Sequence, residues 1–267
     1  LRNKFKIKFC WVIIIFFSFL IKENFAQTSL EFSTDRPGTA TSPFVIPSNS
    51  FQIEMGFNFQ KKKYSNQSAS FDEDNFTLGQ TLFRYGLNDN YELRFGGEYF
   101  LGKTSWAISK SITEGMRGIF LGTKFQFVKD EKIIDNLAVL AEFGLPFGNE
   151  NLRPEKVEPR FILTLDKSIA DKINFGVNIG ASNISGTNNY SSIYAASLTF
   201  QFSKRLSVFA ELYGEAAKNY LPSENFDAGI SYLQKENLQL DLSFGSAIFS
   251  EQTDYFLQLG FSIVFLK

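Results

Sequence analysis

One pattern recurs along the chain: apolar side chains on every second position, with polar residues or glycine between them. In residues 50–60, Phe51, Ile53, Met55, Phe57 and Phe59 alternate with Gln52, Glu54, Gly56, Asn58 and Gln60. Successive side chains of a strand point to opposite faces, so this spacing predicts a strand with one greasy and one wet face. A run of roughly ten residues is also what a tilted strand needs to cross a bilayer. Repeated around a closed sheet, the pattern makes a barrel that is apolar outside and polar inside.

Twelve segments carry a strand signal: 50–60, 75–86, 91–101, 116–128, 137–146, 155–165, 173–182, 192–202, 206–215, 225–233, 238–246 and 254–265. The second and eighth alternate least cleanly. The connections are expected to alternate too. Those after even-numbered strands are short (87–90, 129–136, 166–172, 203–205, 234–237), and those after odd-numbered strands are longer (61–74, 102–115, 147–154, 183–191, 216–224, 247–253). Short turns on one side and long loops on the other mark an outer-membrane barrel. The predicted fold class is therefore all-β: a transmembrane antiparallel up-and-down β-barrel of about twelve strands. Its even strand number places both termini in the periplasm. A soluble barrel would turn the apolar face inward and carry more lysine and glutamate on the other.

The first 26 residues follow a different rule. Arg2, Lys4, Lys6 and Lys8 precede an apolar run at 9–21, and Asn24-Phe25-Ala26 follows. The run is too short for a spanning helix and suits a secretory signal peptide cleaved after Ala26. Cleavage removes Arg2, Lys4, Lys6, Lys8, Lys22 and Glu23, so 27 basic and 28 acidic residues become 22 and 27, a net charge of −5. That balance argues against a nucleic-acid partner. The expected partners are outer-membrane lipid, a small-molecule solute and the barrel assembly machinery. Many outer-membrane barrels end on an aromatic residue, whereas here Phe265 is followed by Leu266 and Lys267. Cys10, the single cysteine, leaves with the signal peptide, so the mature chain has no disulfide. The chain has no histidine, which excludes Ser-His and Cys-His catalysis and histidine-ligated metals. No enzyme activity and no cofactor are expected.

Function must then lie on the inward face. Glycine recurs there, at Gly56, Gly96, Gly118, Gly122, Gly144, Gly176, Gly180, Gly229, Gly245 and Gly260, and as a set these predict space along a passage. Charges of both signs share the face: Glu54, Arg84, Glu92, Arg94, Glu98, Lys124, Glu142, Glu158, Arg160, Glu211, Asp227 and Asp241. They read either as a salt-bridge network that fixes register or as a lining that selects solutes. Residues 27–49, ahead of the first strand, hold three prolines and no apolar periodicity. They are expected to form a periplasmic segment, either a disordered tail or a plug folded into the lumen, with Asp35 and Arg36 as gate candidates.

These residues also carry a resemblance. Thr34-Asp35-Arg36-Pro37, Ser42-Pro43 and Phe51-Gln52-Ile53-Glu54-Met55-Gly56 resemble the start of the outer-membrane transporter family described as "putative MetA-pathway of phenol degradation", in its Bacteroidetes-like form. Leu82-Phe83-Arg84-Tyr85-Gly86-Leu87, Glu92-Leu93-Arg94, Asp227-Ala228-Gly229, Gln239-Leu240-Asp241 and Leu259-Gly260-Phe261-Ser262 extend the likeness across the mature chain. The resemblance implies a transporter-like barrel, and no residue above recognises a phenol. Two functions follow as expectations. One is a channel passing small hydrophobic or aromatic solutes by diffusion. The other is a closed structural or surface-binding barrel acting through outer loops such as 61–74 and 102–115.

Overall fold

Among the residues that the computed structural model describes (32–65, 70–184, 187, 189–218, 220, 222–248 and 253–265) there are twelve strands and no helix. The expected signal peptide and Cys10 lie outside the described residues. The strands are β1 (Phe51–Ser65), β2 (Ser70–Asn88), β3 (Tyr91–Trp106), β4 (Lys110–Lys129), β5 (Asn136–Gly144), β6 (Glu158–Ala170), β7 (Ile173–Asn183), β8 (Tyr190–Gln201), β9 (Leu206–Ala216), β10 (Ser223–Lys235), β11 (Leu238–Ile248) and β12 (Thr253–Phe265). Each pairs antiparallel with its sequence neighbours, and β1 pairs with β12 to close the barrel. Closure leaves no unpaired strand edge, a condition for crossing lipid with strands.

Burial runs opposite to that of a soluble protein. Gln52, Glu54, Arg84, Glu92, Lys124 and Asp241 are buried, while Phe57, Leu121, Ile179 and Phe244 are among many exposed large apolar residues. Lipid is the medium that accepts this outer face. Phe265, Phe51, Phe83 and Phe95 form a row of stacked rings on it across four neighbouring strands, with centroids 5.9–6.4 Å apart.

Phe51 faces Phe265, so both ends of the barrel sheet lie at one rim, shared with the short turns at 89–90, 171–172 and 236–237. The opposite rim differs from expectation. Residues 61–74 and 102–115 are mostly strand rather than loop: β1 and β2 stay paired out to Ser65 and Ser70, and Lys61 meets Asp74. The backbone ladder needs no lipid and continues where both faces meet water. Alternation fades there because the two faces no longer meet different media. On the turn side, the expected connection at 166–172 shrinks to 171–172 because β6 runs to Ala170.

The two irregular strands have separate causes. In β2 an extra residue at Gly79 (φ 60°) shifts the register, so Thr77 is buried on one side of the bulge and Arg84 on the other, with parity switched between them. Gly118 (φ 63°) is the matching bulge in β4, two strands away. Strand β8 is regular, but its inward face carries Ile193 and Ala195 and its outward face Ser192, which blurs the contrast.

Candidate functional site

The charges converge because register puts them there. Arg84 on β2 stands directly opposite Arg94 on β3, and Glu92 stands opposite Lys124 on β4. Two facing arginines repel unless carboxylates are interposed. Glu92 supplies one, taking Arg84 through Nε and Nη2 (3.0 and 2.8 Å) and Arg94 through Nη1 (2.9 Å). Glu54 on β1 takes Arg84 Nη1 at 2.9 Å. The last two donors of Arg84 go to the carbonyls of Ser33 and Phe44, at 3.1 and 2.9 Å. All five N–H groups of this fully buried guanidinium are therefore matched.

Those two carbonyls belong to the segment before β1, which lies across the barrel interior. Asp35 accepts Arg94 Nη1 at 2.7 Å, Lys124 Nζ at 3.0 Å and the Ser42 N–H at 3.0 Å. Its own N–H donates to Glu54. Burial disfavours the Asp35 carboxylate, but the charges of Lys124, Arg94 and Arg84 outweigh it, so the carboxyl is held well below the ordinary range. Arg36 turns the other way around the wall, past β1 and β12, and grips Asp241 on β11 through Nη2 and Nε (2.9 and 3.3 Å). The N–H groups of Thr39 and Ala40 donate to Glu211 on β9. Thr41 donates to Asn178 on β7 at 2.6 Å, and its carbonyl accepts Thr164 and Asn178. The Ile46 N–H donates to Glu92. A proline-rich stretch with no ladder partner can be buried only if something else takes its backbone groups. Here wall side chains do so, and residues 33–46 form a disc braced against most of the wall.

The remaining sequence-identified residues fall into smaller sets. Glu98 stands apart from the central network and pairs with Arg117 on β4 at 2.7 Å, where Arg117 also lies over the Phe100 ring, 3.7 Å from its centroid. Glu142 bridges Arg94 (3.2 Å) and Arg160 (3.5 Å). Glu158 lines the space above the disc. Glu211 and Asp227 face each other on β9 and β10, and among the described residues the buried Asp227 Oδ1 has no hydrogen-bond partner. Sequence reasoning missed Asn178, Thr164 and Arg117. Strand parity alone identifies Asn178 as inward, but an uncharged amide gave no reason to single it out.

The glycines also depart from expectation, because most of the space beside them is filled. A methyl group on Gly56 or Gly260 would overlap the Arg36 guanidinium, and these two glycines face one another where β1 meets β12. Phe120 packs over Gly96, Phe256 over Gly245 and Phe209 against Gly229, while Gly86 receives the backbone of Ile46 and Pro47. Gly118 and Gly144 do border open space. That space is a cavity of about 410 Å³ floored by Asp35, Arg36, Gly38, Thr39 and Thr41. A second cavity of about 210 Å³ adjoins it and shares Arg160 and Thr39. Among the described residues no group of three His, Cys, Asp or Glu side chains is placed to hold a metal.

Comparison with known proteins agrees with this architecture. The family model described as "Putative MetA-pathway of phenol degradation" matches residues 34–265. An outer-membrane channel from Pseudomonas putida F1 superposes with a TM-score of 0.66 at 15% identity, covering 86% of this chain and 100% of that one. The translocator domain of the autotransporter NalP from Neisseria meningitidis gives 0.54 at 10% identity, covering 80% of this chain and 88% of that one. A KdgM porin, solved with disordered oligogalacturonate, gives 0.51 at 13% identity, covering 80% and 99%. No curated protein matches the chain.

Proposed function

We propose that this chain, which belongs to the family described as "Putative MetA-pathway of phenol degradation", is an outer-membrane channel passing small hydrophobic or aromatic solutes by diffusion, closed at rest by residues 33–46. One observation carries the reading: a polar interior holds an open cavity of about 410 Å³ whose floor is a separate segment rather than the wall itself. A floor held by side-chain contacts can move while the strand ladder stays intact. The likeness to the Pseudomonas putida F1 outer-membrane channel supports it at the level of fold. In this reading residues 1–26 are a cleaved signal, both termini are periplasmic, and Asp35 and Arg36 hold the gate. The inward charges other than those gripping the disc, notably Glu98, Glu158 and Arg160, meet the solute.

The test is conductance of the refolded chain from residue 27 onward in a planar bilayer, beside a variant lacking residues 27–49. The variant should pass more current and more solute. Equal flux in both would remove the gate from the mechanism.

A second reading has its own support in the completeness of the pairing around Arg84 and Asp35. A network with all its donors met suits a permanently closed barrel that acts through its outer rim. A folded, heat-modifiable barrel that stays silent even without residues 27–49 would establish that reading and end the channel one.

A further inference from the structure

The smaller cavity differs in chemistry from the space beside it. Its inner wall is made by Ile162 on β6, Ile193 and Ala195 on β8 and the Tyr213 ring on β9. They make an apolar patch on a face rich in charge. The cavity's volume, about 210 Å³, suits one aromatic or branched aliphatic group, since an apolar cavity of about 150 Å³ holds benzene.

Arg160 stands at the junction of the two cavities and lines both. It differs from the other arginines that meet the disc network. The side chains of Arg84 and Arg94 are 0% and 4% exposed, whereas that of Arg160 is 40% exposed. Among the described residues its ion pair is to Glu142, long at 3.5 Å, and Glu142 is already engaged by Arg94. A guanidinium has five donors, and among the described residues this pair engages one of them, so Arg160 keeps donors for an incoming group. Glu215, the carboxylate on the same cavity, is itself exposed, and Ser191 Oγ lies 3.4 Å from it.

We infer that this cavity is a solute-binding subsite for a small monocarboxylate with an aromatic or branched body: the body lies on Ile162, Ile193, Ala195 and Tyr213, and the carboxylate meets Arg160. The inference deepens the channel reading and rests on it for its physiological sense. Arg160 orients the solute as it leaves the outer vestibule, and the apolar wall rejects hydrated ions of the same charge.

Equilibrium binding to the refolded protein in detergent tests it without any flux measurement. The probes are benzoate, its uncharged near-isostere benzyl alcohol, and acetate, which keeps the charge and lacks the body. Benzoate should bind more tightly than either. R160Q should weaken benzoate about tenfold or more, the scale of a lost charge-assisted hydrogen bond, and leave benzyl alcohol unchanged. Ala195→Leu, which fills the cavity, should weaken both. Equal affinity of wild-type protein for benzoate and benzyl alcohol would overturn the assignment of Arg160, whether or not R160Q folds. Unchanged benzoate binding in Ala195→Leu would overturn the placement of the body. Benzoate binding by a protein that never conducts would sink the channel and leave the subsite standing. Conductance without benzoate binding would do the reverse.

Discussion

At the scale of single residues, the interior is governed by satisfaction of charge rather than by apolar packing. Arg84 shows the logic: no water reaches it, so each donor needs a protein acceptor, and each has one. Removing one partner of a buried ion pair costs about 3–5 kcal/mol, because the other charges stay buried without compensation. Arg84→Ala should therefore lower barrel stability by that order, read from the urea midpoint of the refolded protein. A loss under about 1 kcal/mol would mean that water enters beside Glu54 and Glu92 and that the network is looser than its geometry. Part of this network was legible in the sequence. Arg84, Glu92 and Arg94 sit close together across one turn, and strand parity alone turns them inward. The contacts of Asp35 with Arg94 and of Arg36 with Asp241 were not legible, since residues 33–46 have no periodicity to give them a direction.

At the scale of elements, alternation located all twelve strands because each separates two media, lipid and a polar interior. It misjudged their ends, where both faces meet water, and gave no register where a bulge intervenes. Gly79 and Gly118 show why: one residue with positive φ reverses which face the following side chains take. Valine at position 79 would have to adopt that conformation, at a cost of roughly 1–2 kcal/mol for an L-residue. Gly79→Val should lower the unfolding midpoint, whereas Gly79→Asn, a residue that tolerates this region, should lower it less. If the two variants are equally stable, the bulge is not held at this position.

At the scale of the whole molecule, wall and floor are separate structures that share side chains. The wall is held by the backbone ladder, and the floor by charges that the wall projects. The ionisation of Asp35 links them. Its carboxyl is held down mainly by Lys124 and Arg94, against the effect of burial. Its contribution is therefore fully present above the ordinary carboxylate range and is lost only when pH falls through the depressed native value. Between about pH 5 and 8, well above the ordinary value, leak through the protein should not vary on account of this group. Asp35→Asn should leak across that whole range, measured as macroscopic current at fixed protein loading. A wild-type leak that rises steeply between those limits would show that another group holds the floor.

The socket for Arg36 is built from Gly56 and Gly260, one on the first strand and one on the last. Neither strand offers the whole of it. A chain whose two ends have not yet met has half a seat for the guanidinium, and Asp241 lies beside the half on the last strand. Sealing is thus conditional on closure: the plug can lock only into a finished cylinder, and a locked plug certifies that the cylinder is complete.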